Sequence, residues 1–86
     1  MNINDLIAIV KKKLIDEIVI EKIDIQDKTF LHKNHSGYKE GKFHLKIIIE
    51  SKELRNFNRI ESNKKIYKIL DQEIKKSIHS LQILIS

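Results

Sequence analysis

Four histidines are the main chemical resource of this 86-residue chain, because cysteine is absent. Without thiols there is no disulfide, no thiolate-ligated zinc, no cysteine-only iron-sulfur ligation and no cysteine nucleophile. A metal would have to be held by imidazole, by carboxylate or by ligands from a partner. His32 and His35 lie in a polar, glycine-bearing stretch, where their two-residue gap either brings both imidazoles to one ion or leaves both solvated. His79 opens an alternating segment in phase with Leu81, Ile83 and Ile85, which leans its ring toward an apolar face, as a ligand or as a histidine bonded to a backbone carbonyl. His44 has the opposite phase to Phe43 and Leu45 and is expected on the solvated side beside Lys46.

Other chemistry finds less support. None of the serines sits in a nucleophile-elbow context, and no carboxylate pair stands out from the solvated charges. Gly37-Tyr38-Lys39-Glu40-Gly41 is neither a Walker loop nor a dinucleotide fingerprint. The chain is therefore not expected to be an enzyme. Lys64, Lys65 and Lys68 are expected on the first turns of a helix, where ammonium groups and backbone amides together can hold phosphates, and Lys33, Lys39 and Lys42 add charge nearby in sequence. Against that stand Glu61, Asp71 and Glu73, which dilute the patch.

The elements that must position these groups follow from periodicity. Ile3, Leu6, Ile7, Val10 and Leu14 recur every three or four residues behind a candidate cap at Asn2 or Asn4, which predicts an amphipathic helix of about four turns. From Glu21 the period changes to two, with Ile23 and Ile25 alternating against Lys22, Asp24 and Gln26, as in a half-buried strand. Residues 27–42 read as a long exposed loop. Phe43, Leu45, Ile47 and Ile49 define a second strand, antiparallel to the first. A second helix is expected from Asn63 to about Ser77, capped by Ser62, with Ile66, Tyr67, Leu70 and Ile74 on one face. Leu81, Ile83 and Ile85 give a third strand. The crossover into it is long enough for a right-handed parallel connection. The economical packing is an α+β fold of order helix, strand, strand, helix, strand, a mixed three-stranded sheet with helices on one face.

Length and composition bound the rest. Eighty-six residues leave room for one core. Seventeen Lys and Arg against twelve Asp and Glu give a net charge of +5, but fifteen of the seventeen cations are Lys and eighteen residues are Ile, a codon-like bias that discounts lysine richness as evidence for nucleic acid. No long apolar run and no signal-peptide pattern is present, so a cytoplasmic protein with no membrane partner is expected.

Taken together, the segments resemble the BolA-like family across nearly the whole chain. Asp27-Lys28-Thr29 followed by His32-Lys33-Asn34-His35-Ser36-Gly37 is similar to the family's Asp-Glu-Ser stretch and His-Ala-Gly-His-Ala-Gly run. Gly41-Lys42-Phe43-His44-Leu45 resembles its Gly-x-Thr-His-Phe strand entry, Ile66-Tyr67 with Leu70 its helix core, and Ile78-His79-Ser80-Leu81 its Ile-His-Ala-Leu strand start. The resemblance implies a fold similar to a type II KH domain. It also implies heterodimers with a monothiol glutaredoxin, bridged by a two-iron two-sulfur ([2Fe-2S]) cluster; some members bind DNA and regulate transcription. By the same resemblance His79 is a cluster ligand, His32 or else His35 is the second, and the glutaredoxin contributes a cysteine and a glutathione. Imidazole ligation would raise the reduction potential and loosen the cluster relative to all-cysteine sites, and it requires a deprotonated ring. One departure bears on DNA: Ser62-Asn63-Lys64 stands where the family has Arg-His-Arg, removing bidentate phosphate recognition that lysine does not reproduce. No Gly-x-x-Gly loop of the KH type is present, since three residues separate Gly37 from Gly41.

Overall fold

The computed structural model describes residues 2–29 and 42–86. Helix α1 (Ile3–Glu17) begins at Asn2, whose side chain accepts the Asp5 amide at 2.8 Å and satisfies one of the orphan N–H groups of the first turn. Its apolar stripe buries Leu6, Val10 and Leu14 completely. Strands β1 (Lys22–Asp27) and β2 (Phe43–Glu50) pair antiparallel, with Ile23 opposite Ile49 and Ile25 opposite Ile47. Strand β3 (Ile78–Ile85) lies parallel to β2 on its other side, so the order across the sheet is β1-β2-β3. The mixed three-stranded α+β arrangement is the one the periodicities predict.

Leu45, Ile47 and Ile49 of the central strand are buried against Leu6, Val10 and Leu14 of α1 and against Leu54, Ile66, Leu70 and Ile78. One sheet face is thus closed by helices. The residues of opposite phase, among them Asp24, Lys46, Ile48, Gln82 and Leu84, form the other face.

The connection from β2 to β3 differs from the single helix expected from Asn63 to Ser77. It contains a short helix α2 (Lys52–Arg55), then α3 (Arg59–Ile69) and α4 (Asp71–Lys76). Helix α3 starts one turn early because Asn58 caps it: its Oδ1 accepts the Glu61 amide at 2.8 Å while its Nδ2 donates to the Glu61 carboxylate at 2.7 Å, a reciprocal cap. Ser62 is consequently no cap. It is buried inside the helix, and its hydroxyl donates to the Leu54 carbonyl at 2.9 Å, tying α3 to α2. At Leu70 the backbone leaves helical geometry (φ −97°, ψ 16°), dividing α3 from α4. Tyr67 is turned out of the expected apolar face and donates its hydroxyl to the Leu81 carbonyl at 3.3 Å. The half-buried Lys13–Glu73 ion pair, 2.7 Å, joins α1 to α4. Among the described residues no helix is long and apolar enough to cross a membrane.

Candidate functional site

The start of β3 carries an irregularity that decides where His79 goes. Phe43 pairs with Ile78 and His44 with Ser80, so His79 has no counterpart on β2 and stands as the extra residue of a bulge. Ile78 keeps the core position and is buried, whereas His79 is exposed. This corrects the expectation that His79 leans into the apolar face with Leu81 and Ile83: one inserted residue breaks the alternation between position 79 and position 81.

His44, expected in solvent, is only 4% exposed. Its ring meets the His79 ring edge-on, with centroids 5.0 Å apart and planes at 69°. Its Nδ1 shares a hydrogen bond with Ser80 Oγ at 2.5 Å, the tautomer deciding which group donates. Its backbone is held from the β1 side: the Lys28 amide donates to the His44 carbonyl at 2.7 Å, and the His44 amide donates to Thr29 Oγ1 at 3.1 Å. Thr29 is fixed in turn by Asp27, whose Oδ1 accepts both its amide and its hydroxyl. The Asp27-Lys28-Thr29 motif therefore stitches β1 to the entry of β2, and the Phe43 amide donates to the Ser77 carbonyl at 2.8 Å on the β3 side. The result is a solvent-facing imidazole, His79, leaning on a buried, bonded imidazole, His44.

His32 and His35 lie outside the described residues, as do Lys33 and Lys39. Among the described residues no group of three or more His, Cys, Asp or Glu assembles, so His79 is part of no closed metal site there. An exposed imidazole on a strand could hold a metal only with ligands supplied from elsewhere.

The expected phosphate patch is also rearranged. Because α3 begins at Arg59, Lys64, Lys65 and Lys68 fall in its middle and last turns, away from the free amides of the helix start. Lys64 and Lys68 are exposed, but Lys65 pairs with Glu53 at 3.4 Å and lies 5.5 Å from the Phe57 ring centroid.

The sequence comparison assigns the class: the chain belongs to the BolA-like family. Residues 14–86 match the family profile described as BolA-like protein. Over 75 residues the chain is 27% identical to the DNA-binding transcriptional regulator BolA of Haemophilus influenzae, spanning 87% of this chain and 70% of that protein. The fold is similar to the BolA domain of SufE1 from Arabidopsis thaliana, with a TM-score of 0.77 and 23% identity over 92% of this chain and 87% of that one. It is likewise similar to BolA1 from Arabidopsis thaliana, with a TM-score of 0.76 and 24% identity over the same shares.

His44, like His79, is placed differently from the expectation of the alternation. The local alternation carries no sign of the contacts of His44 with His79 and Ser80, which lie some 35 residues away.

Proposed function

We propose that this chain is a non-enzymatic BolA-like adaptor that pairs with a monothiol glutaredoxin in the cytoplasm and shares a two-iron two-sulfur cluster with it as cargo or signal. The observation that carries the reading is the exposure of His79 on a bulge, backed by His44. A bulge re-aims one side chain without disturbing the flanking ladder, which suits a donor that must reach a second molecule. In this reading His79 gives a neutral ring nitrogen to iron, His32 or His35 supplies the second imidazole, and the glutaredoxin and glutathione supply thiolates. Such a cluster, when bound, supplies one-electron chemistry and a transferable iron-sulfur unit. His44 and Ser80 orient the His79 ring. Protons compete with iron for imidazole, so affinity falls as the solution is acidified.

The test mixes the purified chain with a monothiol glutaredoxin, iron, sulfide and glutathione and records visible absorption and circular dichroism. Replacing His79 by Ala is expected to abolish the change that the chain imposes on the glutaredoxin's own cluster spectrum. An unaltered spectrum removes His79 from the ligand set.

A second reading, DNA binding in transcriptional control, draws on the function of the Haemophilus influenzae relative and on the exposure of Lys64 and Lys68 one turn apart on α3. Its signature is affinity that falls steeply with salt. The Lys64→Ala/Lys68→Ala pair is expected to flatten the log-log slope by about two at most, one for each phosphate no longer neutralised.

A further inference from the structure

Among the described residues strand β3 lies at the edge of the sheet, and its far half is unguarded. Natural edges are blunted by shortness, charged side chains, proline or bulges. β3 is eight residues long, its bulge lies at its start, and Gln82-Ile83-Leu84-Ile85 holds neither charge nor proline. Ser86 donates its amide to Ile49 and its carbonyl accepts from Ser51, so the alternation of a parallel ladder turns the N–H and C=O of Leu81, Ile83 and Ile85 away from β2. Tyr67 covers the Leu81 carbonyl. The groups of Ile83 and Ile85 border an open groove of about 400 Å³.

The opposite wall of that groove carries Arg55, Phe57, Arg59 and Asn63. Arg55 and Arg59 are the only arginines in a chain with fifteen lysines, both are exposed, and neither makes an ion pair among the described residues. Asn63 Oδ1 is buried without a hydrogen-bond partner among the described residues. Phe57 and Leu84 add apolar surface, 41% and 38% exposed. Free strand donors and acceptors together with two guanidinium forks match a polypeptide backbone with carboxylate side chains. A nucleic-acid strand would also use the arginines, but its base edges do not repeat donors and acceptors at the spacing of a β-strand as a peptide does.

We propose that the edge of β3 at Ile83 and Ile85 takes up an extended, acidic segment of a partner protein as a fourth strand, held by Arg55 and Arg59. This site is separate from His79, which lies at the other end of β3.

The test titrates the full chain with a fluorescein-labelled peptide of alternating Glu and Val, with a Lys-Val control, an N-methylated Glu-Val peptide and a twelve-residue oligo-dT. The Glu-Val peptide is expected to bind, to slow hydrogen exchange of the Ile83 and Ile85 amides, and to lose about tenfold in affinity in Arg55→Ala/Arg59→Ala. The Arg55→Lys/Arg59→Lys variant keeps the charge and is expected to lose about threefold. The N-methylated peptide, which lacks ladder donors, is expected not to bind. Binding of the Lys-Val or N-methylated peptide as tight as that of Glu-Val, or unchanged exchange at Ile83 and Ile85, overturns the proposal. So does capture of oligo-dT alone, which assigns the groove to nucleic acid instead.

Discussion

Replacing His44 by Ala tests the imidazole pair most directly. The ring is 4% exposed, so almost the whole side chain leaves the protein interior. Three losses combine: the Ser80 hydrogen bond, worth about 1 kcal/mol; the edge-on packing with His79, about 0.5 to 1 kcal/mol; and a cavity of ring size, about 1 kcal/mol. The expected destabilisation is about 2 to 3 kcal/mol, or roughly 10 to 20 °C in Tm for a domain of this length. His79→Ala gives up only the shared ring packing, because the residue is exposed, and is expected to cost under about 1 kcal/mol. Urea unfolding of both single variants and the double variant gives the coupling directly, with an expected value of about 0.5 to 1 kcal/mol. A coupling of zero, or a His79→Ala cost equal to that of His44→Ala, would refute the claim that the buried ring supports the exposed one.

The remaining predictions concern the scaffold. Ser62→Ala removes the buried hydroxyl bond that ties α3 to α2, while the Leu54 carbonyl keeps the Phe57 amide as a donor, and is expected to cost about 1 kcal/mol in chemical denaturation. Asn58→Ala removes the true cap of α3 and is expected to cost about 1 kcal/mol with a small loss of helical circular dichroism. Lys13→Ala strands Glu73, whose side chain is 11% exposed, and is expected to cost about 1 to 2 kcal/mol; Lys12→Ala, which breaks the exposed pair with Asp16, is expected to stay under about 0.5 kcal/mol. Equal effects of the two lysine replacements in parallel thermal melts would refute the distinction.

Whatever depends on local spacing is legible in the sequence. The 3–4 repeat of Leu6, Val10 and Leu14 and the strict alternation of Leu45, Ile47 and Ile49 locate α1 and β2 because each buries a single face. The crossover is less legible. Asn58-Arg59-Ile60-Glu61 is a capping pattern, but it contains an exposed Ile60 rather than opening an apolar stripe, and Ser62 offers an equally good cap by type. The bulge at His79 is not legible at all, since it exists only in the register between β2 and β3. Once the bulge is known, the exposure of His79 and the meeting of its ring with His44 follow from it.

The bulge also separates chemistry from architecture. Since position 79 has no opposite number on β2, and Ile78 and Ser80 keep their places in the sheet on either side, the fold asks little of the imidazole itself. A different side chain, such as one bearing a thiol or a carboxylate, can occupy that point while the three strands stay as they are. Exchanging this one residue therefore changes the exposed chemistry at the strand start and leaves the register of the sheet in place.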